Sequence, residues 1–213
     1  MNPAAVAGLL AGILLAPWQA APPNPPPTQV PPQNTEHIES GEVRVTSGAN
    51  GKPIFYRIRL LPLTSFPDLP APIAAELTRR QCMIPQSFEA QQPENVIHGA
   101  FHSAGTSDWA ALCSSAGTTT LFVFFAGEAA SPIALRSQPD SAWLGAEPGS
   151  ADFGSSWGIA VRSAAELRAT PQLRRAAAID HDAIDDARLE RSVTIHYFQA
   201  GQWLDLNRSN GSD

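Results

Sequence analysis

Residues 108–126 read Asp108-Trp109-Ala110-Ala111-Leu112-Cys113-Ser114-Ser115-Ala116-Gly117-Thr118-Thr119-Thr120-Leu121-Phe122-Val123-Phe124-Phe125-Ala126. Two runs rich in aromatic, aliphatic and β-branched residues flank a Ser-Ala-Gly break. The pattern predicts antiparallel strands over Asp108 to Ser114 and Thr118 to Ala126, joined by Ser115 to Gly117. The second run is apolar on both faces, as a central strand covered by helices requires. A third strand is expected over Val96 to His102, linked through Ser103 to Ser107.

Upstream, Pro72 opens a helix running to about Arg80, with Ile73 and Leu77 spaced by four on one face. Before it, Glu42 to Thr46 and Ile54 to Leu60 alternate, and the intervening Asn50-Gly51 is a hairpin signal. Downstream, Ala130 to Gly154 is rich in Pro, Gly, Ser and Asp and reads as a long loop anchored by Trp143-Leu144, with room for one short strand. Trp157 to Val161 is a further strand candidate. Ser163 and Glu166 have capping-box spacing, so a short helix starts there and stops by Pro171. Ser192 to Phe198 and Gln202 to Leu206 form a closing hairpin across the three-residue loop Gln199-Ala200-Gly201. The fold class expected is α+β: a mostly antiparallel sheet of about five to seven strands with two or three short helices.

The chain has 213 residues, enough for one domain with tails, and carries 20 prolines, many of them near the start. Ala4 to Ala16 is an apolar run too short to span a bilayer, which needs ~20 residues, and it fits the core of a signal peptide. The resulting division is a signal peptide over 1–20, a proline-rich linker over 21–37, a single α+β domain over 38–207 and a flexible tail over 208–213. The expected location is periplasmic or secreted. Two cysteines in an exported chain read as one disulfide, Cys82 to Cys113. A net charge of −6 with a single lysine, Lys52, argues against nucleic-acid binding and against a polybasic membrane patch. Once the signal is removed, nothing remains that reads as transmembrane.

Four patterns carry chemical suggestion. Asp180, Asp182, Asp185 and Asp186 form a carboxylate cluster that a calcium ion could use, although Ile184 and Asp185 break the EF-hand pattern. The competing reading is a solvated acidic turn capping a brief helical segment; no other cofactor is suggested. Gly154-Ser155-Ser156-Trp157-Gly158 matches the nucleophile elbow Gly-x-Ser-x-Gly, with Asp182 and His196 following in the order of a hydrolase triad. That motif needs a buried strand before it and a helix after it, and Ala146 to Phe153 reads as a loop. His98 and His102, sharing a strand face opposite Ile97 and Phe101, would be a start on a zinc site with Asp108, or exposed surface histidines. Trp18, Trp109, Trp143, Trp157 and Trp203 invite a carbohydrate-binding reading, against which core packing is the default.

Cys82-Met83-Ile84-Pro85-Gln86, Asn95 to Phe101, Asp108 to Ser114, Asp180 to Asp186 and the Tyr197 to Leu206 hairpin together resemble a group of uncharacterised exported bacterial proteins. The resemblance spans roughly Phe66 to Leu206 and departs from the group at Ala183, where Gly is usual. It implies one exported domain and brings no activity with it. The expected function is a non-catalytic exported domain that binds a protein or envelope component. The alternative is a small serine hydrolase using Ser156, which requires Ser156, His196 and a carboxylate to meet within hydrogen-bonding reach.

Overall fold

The computed structural model describes residues 43–48, 50–146, 153–169 and 180–209. The expected signal peptide and linker, and residues 210–213 of the tail, lie outside them. Among the described residues the fold is α+β: fourteen mostly antiparallel strands in four sheets, two short α-helices and the Cys82–Cys113 disulfide. None of the described helices is long and apolar enough to cross a membrane.

The N-terminal alternation forms β1 (Arg44–Ser47) and β2 (Pro53–Tyr56), paired antiparallel with Val45 opposite Phe55. Gly51 adopts φ +73° in the connecting turn, where glycine is the residue without a steric penalty. The strand expected from Ile54 to Leu60 divides after Tyr56. Tyr56 pairs with Phe153 in the one parallel contact, whereas β3 (Arg59–Leu61) pairs with β4 (Ile84–Gln86). The two-residue period survives the division, because Tyr56 and Ile58 both remain buried.

Helix α1 (Ala71–Arg79) carries a proline in its first turn, and Ile73 and Leu77 are fully buried. At nine residues it is too short to be stable alone, so packing of this stripe holds it. Its partner is the sheet β5 (Val96–Gly99), β6 (Asp108–Ser115), β7 (Thr118–Phe124) and β8 (Ile133–Pro139), paired antiparallel in that order. Ala111, Cys113, Phe122 and Phe124 face α1, while Ala110, Leu112, Leu121 and Val123 face the other way. The second face is covered by a sheet rather than by helices: β11 (Trp157–Arg162), β12 (Ala183–Arg188), β13 (Ser192–Gln199) and β14 (Gln202–Ser209). Trp157, Ile159 and Ile184 from this sheet complete the core. Each fully buried Leu, Val or Phe contributes roughly 1.5–3 kcal/mol.

The stretch read as a long loop holds β8, a 3-10 turn at Asp140–Trp143, β9 (Leu144–Ala146) and β10 (Phe153–Ser155). β8 is an edge strand, where Pro139 is tolerated. The pairing of β7 with β8 shifts between Leu121 and Phe122, so the apolar alternation that would have marked β8 is interrupted. Helix α2 (Ala164–Ala169) begins as its capping box predicts. Glu166 accepts from the Ser163 backbone and hydroxyl, and Ser163 Oγ accepts from the Glu166 N–H. In the closing hairpin Gln199 pairs directly with Gln202, so the loop has two residues and not three. Ala200 and Gly201 both take positive φ, the geometry that matches strand twist. The last strand runs to Ser209, two residues beyond the expected end of the domain.

Asn95 ties three of these elements together. It is buried with φ +71°; its Nδ2 donates to the Pro85 carbonyl at 2.6 Å and its Oδ1 accepts from the Ile159 N–H at 2.9 Å. Its own carbonyl accepts from the Leu112 N–H at 3.0 Å.

The disulfide joins the end of α1 to the helix-facing side of β6 across a sequence separation of 31. Closing a loop of that length stabilises the fold by about 3–4 kcal/mol in the chain-entropy account. Urea unfolding of a Cys82→Ala/Cys113→Ala variant should show a loss of that size, with the midpoint lowered and the slope little changed.

Candidate functional site

The acidic stretch is not a turn. Residues 183–188 form β12, a central strand, and strand alternation sends neighbouring carboxylates to opposite faces. Asp180 is exposed beside His181, whose other ring nitrogen donates to the Phe198 carbonyl. Asp182 clamps two backbones, accepting from the N–H groups of Ala100 and Ala164. Asp185 takes the Arg162 guanidinium in a two-pronged pair at 2.6 and 2.5 Å. Asp186 is buried at the interface with the first sheet. The four carboxylates proposed for calcium therefore have four separate assignments. Among the described residues no three His, Cys, Asp or Glu side chains converge in a group that could hold a metal ion.

Asp186 is the centre of a buried polar network. Its Oδ1 accepts from Trp157 Nε1 at 2.6 Å, and its Oδ2 lies 2.9 Å from His196 Nε2 and 3.0 Å from Arg136 Nε. His196, only 2% exposed, also places Nδ1 2.6 Å from Asp205 Oδ1. Two carboxylate acceptors, one at each ring nitrogen, call for two N–H donors, which only the imidazolium has. Burial opposes that charge, but the hydrogen bonds and charges of Asp186 and Asp205 outweigh it and raise the His196 pKa above its ordinary value. With Arg136 and protonated His196 against Asp186 and Asp205, the cluster is locally neutral.

Ser156 lies elsewhere. It sits between β10 and β11, two strands, so the strand-to-helix turn of a nucleophile elbow is absent here. Its hydroxyl donates to the Trp143 carbonyl at 2.8 Å. Both nitrogens of His196 are engaged by Asp186 and Asp205, and Asp182 holds backbone, so the three residues named for a hydrolase do not meet. Gly154 of the motif has a packing reason. A Cβ there would lie 3.1 Å from Phe88 Cβ, and one at Gly145 would lie 2.7 Å from the Phe88 ring. The two glycines make room for Phe88.

The two histidines also separate. The strand ends at Gly99; His98 lies against Trp109 at 4.7 Å, and His102 stacks on Phe125 at 4.6 Å. Asp108 is buried and accepts from the N–H groups of His102 and Ala126 and from the Thr106 hydroxyl, holding the loop before β6. Of the tryptophans, Trp143 and Trp157 stack on each other in the core, and Trp203 packs against Phe125 and Phe198. Trp18 lies outside the described residues.

Trp109 packs against the core on the α1 side and is also part-exposed. With Val96 it floors an open groove whose walls are the Phe66–Leu69 turn before α1 and Pro93. This space of about 550 Å³ adjoins a second of about 330 Å³ that shares Ser65 and Pro93 and is lined by Arg59, Gln91 and Gln92. Sequence reading placed Trp109 against the core, where it does pack, and missed the groove, because its walls come from breaker-rich segments, Phe66-Pro67 and Gln92-Pro93, that carry no periodic signal. Several of its polar side chains, Asp68, Gln91 and Gln92, are exposed to solvent. Among the described residues the Ser65 hydroxyl, the Asp68 carboxylate, the Gln92 amide and the Trp109 indole N–H have no hydrogen-bond partner. Arg59 makes one bond, to the Ala90 carbonyl, and keeps its Nε–H unpaired.

Comparison with protein-family models, with curated proteins and with solved structures gives no match.

Two outcomes test the Asp186 network. Asp186→Ala leaves Arg136, His196 and Trp157 without their shared acceptor, and urea unfolding should register a loss of about 3–5 kcal/mol. The second concerns pH. Because the folded state holds the His196 proton more tightly than the unfolded chain, its contribution to stability is complete below about pH 6.5. That contribution is lost as pH rises through the raised folded value. Denaturation midpoints across that window should fall in the native chain, and His196→Gln should remove this component of the slope.

Proposed function

We propose that this chain is an exported, non-catalytic binding domain, acting on a protein or envelope component through the groove beside Trp109. Export is supported by the apolar N-terminal run and by a disulfide, which persists in oxidising compartments. The observation that carries the binding reading is the groove itself, which part-exposed Phe66 and Trp109 line. The candidate catalytic side chains, Ser156, Asp182 and His196, are committed to intramolecular hydrogen bonds. Ser65, Asp68, Gln92 and Trp109 are not, and they border an aromatic-walled groove open to solvent. Apolar walls with a few convergent polar groups are the usual composition of a ligand site.

Ser65 stands where the two lobes of the groove meet, so Ser65→Trp fills it without touching the core. Cross-linking in envelope extract should give an adduct with the native chain that is lost with Ser65→Trp and retained with a substitution at an exposed residue outside the groove lining, such as Ala160→Ser. An adduct unaffected by Ser65→Trp would place the binding surface elsewhere.

A further inference from the structure

The β1–β2 hairpin carries a second surface, none of whose residues lines the groove. Among the described residues four large apolar side chains are exposed, and three of them, Val43 (55%), Val45 (60%) and Phe55 (58%), belong to this hairpin. They share a face. Burial alternates along both strands, so Arg44, Thr46, Ile54 and Tyr56 turn towards the body while Val43, Val45, Pro53 and Phe55 turn outwards, with Val45 directly opposite Phe55. The ribbon is fastened at one end, where the Arg57 N–H donates to the Phe153 carbonyl and Arg44 pairs with Asp140. Its other end, Asn50 to Pro53, is exposed.

The charge of this segment has one sign. From Val43 to Pro67 the chain has four basic residues, Arg44, Lys52, Arg57 and Arg59, and no acidic one, within a protein of net charge −6. Arg44 is held by Asp140 and Arg59 by the Ala90 carbonyl. Lys52 at the tip and Arg57 at the base are exposed, so cations bracket the apolar face.

We propose that this hairpin face docks on an anionic lipid bilayer, with Val45 and Phe55 entering the boundary between headgroups and acyl chains and Lys52 and Arg57 among the headgroup phosphates. Size decides against a protein partner. A stable protein interface takes ~800 Å² and about 20–30 residues from each side. The outward face of the ribbon consists of Val43, Val45, Ser47, Pro53 and Phe55. A bilayer requires no matching contour; it rewards each apolar side chain that leaves water and each cation that reaches its surface. Charge decides against a second copy, because packing this face on itself would bring Lys52 and Arg57 against their like-charged counterparts. Two exposed cations fall short of a polybasic patch, so the apolar face carries the affinity and the charges select the lipid.

The test is flotation of the full chain with vesicles of phosphatidylglycerol mixed with phosphatidylcholine, and with vesicles of phosphatidylcholine alone. Lys52 is the single lysine of the chain, so its acylation by an amine-reactive reagent, mapped by mass spectrometry, reports on the hairpin itself. The native chain should float with the anionic vesicles, and Lys52 should lose its reactivity in their presence. Val45→Thr/Phe55→Thr keeps strand-favouring residues at two exposed positions, so its urea midpoint should match the native one. Its partition to anionic vesicles should fall about tenfold. Lys52→Glu should lower partition to the anionic vesicles by about tenfold and leave partition to phosphatidylcholine unchanged. Ser65→Trp should float as the native chain does, which separates this surface from the groove. Flotation without protection of Lys52, equal flotation of Val45→Thr/Phe55→Thr, or no flotation overturns the proposal. A dimer in light scattering that Val45→Thr/Phe55→Thr dissociates, or a cross-link in envelope extract that this variant alone loses while vesicle binding is unchanged, also overturns it and makes the face a protein interface.

Discussion

The middle of the β6–β7 hairpin is covered on both faces, and the rest of the described fold follows from that. Leu112, Leu121, Val123 and Phe124 are fully buried, with alternate residues directed to opposite sides. One cover is a nine-residue helix too short to persist alone, and the disulfide fixes its end to the strand it covers. The other is a four-stranded sheet that carries a carboxylate, Asp186, into the interface. An uncompensated buried carboxylate costs several kcal/mol. Trp157, Arg136 and His196 arrive from three different strands to compensate it, and in doing so they fix how the two sheets sit on one another.

The same logic accounts for the patterns that looked like chemistry. Polar groups taken out of water need partners, and the buried Asp108, Asp140 and Asp186 and the half-buried Asp182 each gather several donors. Asp140 receives the hydroxyls of Ser114 and Thr119 and the Arg44 guanidinium, fastening β1 to the end of the central sheet. A spacing of Asp, Ser and His in sequence therefore reports where the fold needs acceptors and caps. Gly-x-Ser-x-Gly arises from room needed by Phe88 and from a hydroxyl that closes on Trp143.

What the sequence made legible was local. Periodicity placed α1, the three consecutive strands and the closing hairpin, and the capping box placed α2, because in each case the signal lies within a few residues. The pairing of His196 with Asp205 was within reach too: once Gln199 and Gln202 close the turn, counting back three and forward three sets them opposite. Three things were hidden. β8 is a bulged edge strand whose alternation is broken by its own register. β12 reads as an acidic turn because its charges are matched by Arg162, Arg136 and His196, none of which is near in sequence. The groove is assembled from a turn, a proline and two strands, so its existence depends on tertiary placement of residues without periodic pattern.

A binding groove also needs walls that do not collapse, and here the anchoring is visible. On one side the Phe66 turn closes through the Leu69 N–H to the Phe66 carbonyl, and Leu69 is buried against α1, itself held by the disulfide. On the other, Pro93 is followed by Glu94, whose backbone exchanges hydrogen bonds with the buried Gln86 amide and whose carboxylate accepts from the Ser87 N–H. Asn95 next to it is locked to Pro85 and Ile159. The floor, Val96 and Trp109, belongs to the sheet that packs against α1. Walls anchored in this way mean that a ligand meets a site already shaped, so little of its binding free energy is lost in ordering the protein. The dense intramolecular bonding that rules Ser156 and His196 out of a shared catalytic geometry is thus also what keeps the Trp109 groove open.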